Sequence, residues 1–275
     1  MRKYKASGII VLVTTFERPE SLVTMALQSI ANQTLLPSIV IIINDGEVLS
    51  TDTLNEINCV LGEIPVQITH NKFSKGAAGS WNTGIDIVKD SYGNNYIAIL
   101  DDDDDWDPSH LQVCYETAKL NNADAVVSGL RLWVDGKQIN RPLIKTLTEQ
   151  DFLVGNPGWQ GSNTFVKVYK LVEIGGFRDG MQSLNDRYLA IKLLELPNFN
   201  LVFTEKWTAN WRARTSQGSL SSPGSIEKKE GLKLFWEIFS DRMNTAQKRD
   251  FFQRAASLFK ISEDEIVSQS NEVKI

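Results

Sequence analysis

Four short apolar runs, separated by stretches with helical spacing, constrain the fold of this chain more than any other feature. The runs are rich in Ile and Val, lack polar alternation, and cover residues 8–13, 38–43, 66–69 and 96–100. Strands that are buried on both faces of a parallel sheet have this pattern. Between the first two runs, residues 19–33 have apolar side chains on one helical face and Pro19 at the first turn, where proline is tolerated. The alternation predicts a doubly wound α/β sheet that is mostly parallel, with flanking helices.

The pattern changes after residue 120. Asp107 precedes Pro108 and is predicted to be the N-cap of the next helix. Asp135-Gly136 stands between two short strand-like runs and predicts a tight hairpin turn. The predicted elements of this half are strands at 124–128, 131–134, 137–139 and 200–203, a loop at 155–163 and a helix at 185–196.

A stretch of Ser, Gly and Pro at residues 216–225 predicts a mobile loop before the last part of the chain. Helical periodicity follows at 226–243 and 245–260, and Ser262 with Glu265 forms a capping box for a last short helix. We therefore predict an α/β domain over residues 1–215 and a C-terminal helical extension over 216–275.

Charge, cysteine content and the length of the apolar runs argue against several classes of function. The chain has 275 residues and a net charge of −5, which argues against binding of nucleic acid through its phosphates. Its two cysteines, Cys59 and Cys114, fit no disulfide framework and no metal-binding spacing. The first apolar run is not followed by a small-residue cleavage site, and the apolar runs are too short to span a bilayer. The expectation is a soluble cytoplasmic protein, with peripheral contact at the inner face of the membrane left open.

Five consecutive carboxylates, Asp101 to Asp105, directly follow the fourth predicted strand. Like charges this close raise one another's pKa, and a divalent cation removes that cost. Open α/β sheets bind ligands at the carboxyl ends of their strands. Asp101 and Asp103 alternate along an extended chain, so both can face the same side. The alternative is a solvated acidic turn, in which Asp105 and Asp107 serve only as caps.

Residues 100–108 resemble the Leu-Asp-Asp-Asp-Asp-x-Trp-x-Pro segment of family 2 glycosyltransferases with the GT-A fold. Four other segments are similar to family motifs and occur in the same order, at residues 13–19, 43–46, 75–84 and 174–186. The resemblance covers residues 8–215. It implies a GT-A domain with a nucleotide-binding half at 1–108 and an acceptor half at 109–215, and a nucleotide-diphosphate sugar transferase active in surface polysaccharide synthesis.

The resemblance also implies which residues bind the donor. Asp45 matches the family position that accepts a hydrogen bond from the nucleobase, and a carboxylate can accept the imide N–H of uracil or thymine. A UDP- or dTDP-sugar is therefore expected. Arg18 fits a phosphate contact and an exposed helix-start residue equally well. The implied donor-binding residues are Thr14, Phe16, Arg18, Asp45, Lys75, Gly76, Asp101 and Asp102.

For catalysis, the resemblance implies Asp103 and Asp101 as ligands of Mn²⁺ or Mg²⁺, with water and phosphates completing the shell. Asp186 matches the general base, which takes the proton from an acceptor hydroxyl. A single displacement inverts the configuration of the sugar. Asp186 also suits a plain helix cap, and Asn185 stands where the family usually has Glu.

The acceptor is expected to be a saccharide or a lipid-linked saccharide. Trp159 suits a stacking platform for a sugar, and Arg212 and Arg214 lie where a guanidinium would pair with the diphosphate. The aromatic faces of the C-terminal helices are expected to pack on the core. Formation of a homodimer or contact with a membrane through these faces is the alternative.

Three other functions remain open. A haloacid-dehalogenase-type phosphatase also uses Asp-x-Asp after a strand, although position 105 is Asp where that family has Thr or Val. A calcium-binding EF-hand would require Gly at position 106 and Glu at position 112, which are Trp and Gln. The third alternative is a catalytically inactive relative that only binds sugar nucleotides.

Overall fold

The computed structural model describes residues 4–5, 8–90, 95–213 and 222–268. A nine-stranded sheet forms the centre of this part of the chain, beside a two-stranded parallel pair of β1 with β3. The strands are β1 (Tyr4–Lys5), β2 (Ile9–Thr15), β3 (Leu35–Leu36), β4 (Ile39–Asn44), β5 (Val66–His70), β6 (Tyr96–Asp101), β7 (Asp105–Trp106), β8 (Ala125–Val134), β9 (Lys137–Asn140), β10 (Thr164–Lys167) and β11 (Leu201–Ala213).

The strand order is β5-β4-β2-β6-β10-β8-β11-β7, and β9 pairs with β8. Strands β5, β4, β2, β6, β8 and β11 run in one direction, whereas β10, β7 and β9 run in the opposite one. The mostly parallel sheet is thus confirmed. The register pairs Thr15 with Asn44 and Thr14 with Asp101. The carboxyl ends of β2, β4 and β6 therefore meet at one edge.

Helices lie on both faces of the sheet. Residues 19–31 form one continuous helix, in which a π-helical segment (Leu22–Leu27) separates α1 from α2. The helices are α1 (Pro19–Ser21), α2 (Gln28–Ala31), α3 (Thr51–Leu61), α4 (Ala77–Val88), α5 (His110–Asn121), α6 (Asp151–Val154), α7 (Val168–Glu173), α8 (Asn185–Leu194), α9 (Ile226–Phe239), α10 (Thr245–Arg254) and α11 (Glu263–Val267).

Two boundaries differ from the prediction. Asp107 is not the N-cap of α5, because the cap position is Ser109 and the Asp107 carboxylate accepts two hydrogen bonds of 2.8 Å from Arg131 instead. The strand predicted at residues 200–203 extends to Ala213, since it pairs in parallel with β8 along most of its length. The hairpin turn is confirmed, with φ of 49° at Asp135 and 75° at Gly136.

The alternation of side chains along the strands produces a core on each face of the sheet. Ile9, Val11 and Val13 of β2 pack with the helix of residues 19–31 and with α3 and α5. Ile10 and Leu12 face the opposite side, where α4, α8 and the C-terminal helices lie. Strands buried on both faces explain the uninterrupted apolar runs of the sequence.

The C-terminal helices pack on this second core. Ser225, Asn244 and Ser262 cap α9, α10 and α11 through their side chains, so the predicted capping box at Ser262 is confirmed. The aromatic side chains of Phe235 and Phe239 are fully buried. They are therefore not available for the alternative of dimerisation or membrane contact.

No helix in the described ranges is long and apolar enough to cross a membrane. The predicted mobile loop at 216–225 lies largely outside the described residues, which resume at residue 222. The division of the chain at residue 215 stays a prediction.

Candidate active site at the edge of the sheet

The five aspartates that follow β6 occupy two different environments. Asp102 and Asp104 are 0% and 3% exposed, whereas Asp101, Asp103 and Asp105 are half-buried. Residues 102 and 103 form a turn, in which the Asp104 amide donates to the Asp101 carbonyl oxygen at 3.2 Å. The buried members anchor the segment to the rest of the protein, and the half-buried ones border the open edge of the sheet.

Asp102 ties the acidic segment to the end of β2. Its carboxylate accepts hydrogen bonds from the Thr15 hydroxyl at 2.7 Å and the Phe16 amide at 3.4 Å. Arg18 Nη2 lies 2.9 Å from Asp102 Oδ1 as an ion pair without hydrogen-bond geometry. Burial raises the pKa of Asp102 to about 6, and the Arg18 charge opposes this rise. Arg18 also forms an ion pair with Asp103, so it has carboxylate partners in the protein rather than a free guanidinium for phosphate.

Asp104 is held from the opposite side. The Ser162 hydroxyl donates to it at 2.5 Å and the backbone amide of Arg212 at 2.9 Å. Burial raises the pKa of Asp104 to about 7, and the hydrogen bond from Ser162 opposes this rise. The Arg212 guanidinium pairs with Asp105 and lies 4.6 Å from the centre of the Trp133 ring. Arg212 is thus at the acidic segment, but protein groups hold its charge instead of an acceptor.

Asp101 differs from its neighbours because no side chain in the described residues donates a hydrogen bond to its carboxylate. Burial raises the pKa of Asp101 well above its ordinary range, and the nearby carboxylates of Asp104, Asp103 and Asp186 raise it further. Because the charge of Asp186 raises the pKa of Asp101, the predicted base lies near Asp101. Asp101 is thus a carboxyl group at the end of β6 whose charge no hydrogen bond from a described side chain stabilises.

Asp186 stands in the first turn of α8, half-buried. Burial raises its pKa to about 6, whereas the hydrogen bond from the Gly161 amide and the charge of Lys228 lower it. Asp186 is not an N-cap, because Leu184 occupies that position. A carboxylate with this pKa is ionised at neutral pH and still basic enough to accept a proton.

The donor set at Asp101 and Asp103 suits a hard divalent cation. The described residues contain no group of three or more His, Cys, Asp or Glu side chains arranged to hold a metal ion. Mg²⁺ and Mn²⁺, however, are commonly bound by one or two carboxylates, with phosphates and water at the other positions. The unpartnered Asp101 carboxylate fits such an ion, although Asp103 would have to exchange its ion pair with Arg18.

A second group of predicted residues meets around Asp45, after the end of β4. The Asp45 carboxylate accepts hydrogen bonds from Asn71 Nδ2 at 2.7 Å and from the Gly76 amide at 2.6 Å. Gly76 has φ of +119°, a conformation that residues other than glycine avoid. Each oxygen of Asp45 keeps acceptor capacity for another donor, because a carboxylate has about four lone-pair sites.

Phe16 and Lys75 lie together between these two groups. The Lys75 ammonium is 4.3 Å from the centre of the Phe16 ring, and both side chains are exposed. Thr14 is half-buried next to Asp101 in the strand register. The structure thus brings most of the predicted donor-binding residues to one edge of the sheet.

Two of the residues predicted to bind the acceptor are not placed at this edge by the described structure. Trp159 is 1% exposed and its Nε1 donates to Thr164 at 2.8 Å, so it is a core residue without a free face for a sugar. Arg214 lies outside the described residues.

Sequence reasoning missed four residues of the site: Thr15, Asn71, Ser162 and Lys228. Each acts on a predicted residue through a contact between distant segments. Only Thr15 had a sequence signal, since it is adjacent to the predicted Thr14.

An open α/β sheet with an acidic cluster and a facing carboxylate at the carboxyl ends of its parallel strands defines a nucleotide-sugar-binding fold of the GT-A type. The model of glycosyl transferase family 2 matches residues 10–193 of this chain. The chain therefore belongs to glycosyl transferase family 2, and the predicted membership is confirmed.

Individual relatives agree with this assignment. The chain is 29% identical over 122 residues to the "Uncharacterized glycosyltransferase YwdF" of Bacillus subtilis (strain 168), a match that spans 43% of this chain and 42% of that protein. The crystal structure of S. aureus TarS 1-349 in complex with UDP-GlcNAc is similar at a TM-score of 0.67 and 16% identity, over 93% of this chain and 74% of TarS 1-349. The complex of TarS 1-349 with UDP has a TM-score of 0.64, with 15% identity, and the match covers 96% of this chain and 76% of that one. These likenesses confirm the fold.

Proposed function

We propose that this protein is an inverting, metal-dependent glycosyltransferase that transfers a sugar from a nucleotide-diphosphate donor to an acceptor hydroxyl. One observation carries the proposal: the Asp101 carboxylate, to which no described side chain donates a hydrogen bond, lies near enough to Asp186 for that charge to raise its pKa. A cation with a diphosphate on one side and an acceptor hydroxyl on the other would use these two groups in different roles. TarS, which has the same fold, was crystallised with UDP-GlcNAc, which supports a nucleotide-sugar donor here.

In the proposed reaction, Asp45 accepts the imide N–H of uracil or thymine, while the exposed Phe16 and Lys75 border the ribose and the diphosphate. Asp101 and Asp103 hold Mn²⁺ or Mg²⁺. The ion supplies neutralisation of the charge that develops on the leaving nucleoside diphosphate. Arg18 leaves Asp103 when the donor enters and is then free to approach a phosphate.

Asp186 acts on the acceptor. It takes the proton of the acceptor hydroxyl as that oxygen bonds to the anomeric carbon, while the bond between this carbon and the phosphate oxygen breaks. Attack from the face opposite to the leaving group inverts the configuration. The Gly161 amide and Lys228 keep the Asp186 carboxylate ionised before the proton moves.

Thermal shifts with UDP, dTDP, GDP and CDP, each with and without Mn²⁺, test the donor site. We expect one uracil or thymine nucleotide and the metal to stabilise the protein jointly, because each fills part of the other's site. Asp101→Asn is expected to remove the joint shift, and Asp86→Asn on the outer face of α4 serves as the matched control. A joint shift that survives in Asp101→Asn contradicts the proposed metal site.

Activity decides between a transferase and a protein that only binds sugar nucleotides. With the stabilising nucleotide as its UDP- or dTDP-sugar, we expect release of the nucleoside diphosphate in the wild type. We also expect a loss of at least about a hundredfold in Asp186→Asn. Nucleotide binding without turnover would establish the inactive alternative.

A further inference from the structure

A cavity of about 100 Å³ lies between the end of α6, the start of α8 and the C-terminal helices. Three cationic side chains line it: Arg187 from α8, Lys228 from α9 and Arg254 from α10. The remaining walls are mostly apolar, and Leu184 and Phe251 contribute to them. Arg187 and Lys228 are buried, whereas Arg254 is exposed.

None of these three cations forms a salt bridge with a carboxylate of the described residues; the ion pairs found there belong to other lysines and arginines. Burial lowers the pKa of Lys228 to about 8, and the charges of Arg187 and Arg254 lower it too. Burial and Arg254 likewise lower the pKa of Arg187 to about 9. The charge of Asp186 opposes these effects on Lys228 but does not outweigh them.

Packing accounts for one of the three cations. Arg187 donates hydrogen bonds of 2.7 Å to the carbonyl oxygens of Phe152 and Leu153, and it lies 3.9 Å from the centre of the Phe235 ring. The ammonium of Lys228 has no hydrogen-bond acceptor in the described residues and lies 4.6 Å from the Phe259 ring centre. A buried charge without a partner is costly, and Lys228 is only 5% exposed.

The position of Lys228 is fixed by a close helix crossing. A Cβ on Gly231, one turn after Lys228, would lie 2.8 Å from the Cβ and carbonyl oxygen of Ser183. Only glycine allows α9 to approach the start of α8 so closely. The crossing brings the Lys228 charge close enough to Asp186 to lower the pKa of its carboxyl. Lys228 therefore both lines the cationic cavity and acts on the proposed base.

On the basis of the proposed function, we propose that the cavity lined by Arg187, Lys228 and Arg254 binds a phosphate group of the acceptor. Several cations without carboxylate partners suit a phosphate, which carries more charge than a carboxylate and offers more acceptor oxygens. A phosphate held here fixes the distance between an acceptor hydroxyl and Asp186. The substrate class is thus a phosphorylated alcohol or sugar.

Titration with inorganic phosphate and with glycerol 3-phosphate, followed by calorimetry in metal-free buffer, tests this assignment. Metal-free conditions keep both probes from the acidic donor site, whose carboxylates repel them. Lys228→Met and Arg254→Gln are expected to weaken binding of glycerol 3-phosphate by about tenfold or more each, the effect of removing one charged hydrogen-bond donor. Lys229→Met and Arg249→Gln, on the exposed sides of the same helices, should leave it unchanged.

Several results would overturn the inference. One is equal affinity in the pocket variants and their controls, and another is no binding of either phosphate. Binding of inorganic phosphate but not of glycerol 3-phosphate would indicate a site for the free ion and would contradict an acceptor role. Melting temperatures of all variants exclude unfolding as the cause of lost binding.

The joint shift by nucleotide and Mn²⁺ separates this inference from the proposed function. We expect this shift to be the same in Arg254→Gln and in the wild type. If the shift is kept but the pocket does not bind phosphate, only the pocket assignment fails. If the shift is absent from the wild type, the proposed function fails, and with it the acceptor role of the pocket.

Discussion

Replacement of Asp186 by Asn should stabilise the protein at neutral pH while it removes activity. Burial raises the pKa of this carboxyl from its ordinary value of 3.8 to about 6. At about 1.4 kcal/mol per pKa unit, the ionised carboxylate costs the folded state about 3 kcal/mol. Asn is neutral, and its side-chain oxygen can still accept the hydrogen bond from the Gly161 amide. The pKa of about 6 already includes the favourable charge of Lys228. The buried Asn amide has a desolvation cost of its own, so we expect a gain of about 2 kcal/mol.

The sign of the pH dependence follows from the direction of the shift. Below pH 3.8 the carboxyl is protonated in both the folded and the unfolded state, and Asp186 has no cost. Between pH 3.8 and 6 the unfolded state loses its proton first, so wild-type stability falls relative to the variant as the pH rises. Above pH 6 the difference is constant. The advantage of Asp186→Asn should therefore be absent well below pH 3.8, reach roughly half of its full size at pH 5 and be complete at pH 8.

Urea unfolding of the wild type and of Asp186→Asn at pH 5, 6 and 8 measures this difference directly. Near the melting temperature, a gain of about 2 kcal/mol corresponds to an increase of roughly 5 °C for a chain of this size. Asp241→Asn, at an exposed position, is the matched control and should show no pH-dependent gain. If Asp186→Asn is as stable as the wild type at pH 8, or less stable, desolvation of this carboxylate is not the dominant effect. Near-normal transfer by the variant would refute its role as base.

Three other substitutions test single contacts. Arg18→Gln should lower the free energy of unfolding by about 1–3 kcal/mol in urea, because the buried Asp102 loses its counter-ion; unchanged stability would contradict a structural role of this ion pair. Gly76→Ala forces a side chain into φ of +119° and should weaken the nucleotide-dependent thermal shift, whereas an equal shift would separate this amide from the donor site. Trp159→Phe removes a buried hydrogen bond and should cost about 1 kcal/mol without raising the KM for the acceptor; a raised KM would restore Trp159 as an acceptor contact.

The sheet and its functional edge could be predicted from sequence because their signals are local. Strands β2, β4 and β6 each contain an uninterrupted apolar run. Asp101 directly follows the run of β6, and Asp45 follows that of β4 after Asn44. Parallel strands place their carboxyl ends together without any further information. The helix starting at Pro19 was recognisable for the same reason, although its π-helical middle was not.

Contacts between distant segments could not be predicted. Thr14 and Thr15 are equivalent in composition, and a strand turns them to opposite faces; only the register with β6 decides that Thr15 reaches Asp102. Asp107 looks like a helix cap until Arg131, 24 residues later, takes its carboxylate. The burial of Trp159 likewise depends on the whole fold, because the local sequence Pro-Gly-Trp does not distinguish an exposed from a buried tryptophan.

Charge is distributed unevenly about Asp186, and this asymmetry determines where the donor and the acceptor would bind in the proposed site. On the side of the sheet edge, Asp101 has carboxylate neighbours and no hydrogen-bond donor among the described side chains. On the side of the C-terminal helices, Lys228 has cationic neighbours and no carboxylate in a salt bridge within the same part of the chain. The charge of Asp186 raises the pKa of Asp101 and that of Lys228, so it disfavours the charged form of Asp101 and favours that of Lys228. A bound cation would stabilise the carboxylates on the side of Asp101, and a bound anion would stabilise the cations on the side of Lys228. The donor with its metal and a phosphorylated acceptor would therefore each bind on one side only. The base then lies where the two substrates meet.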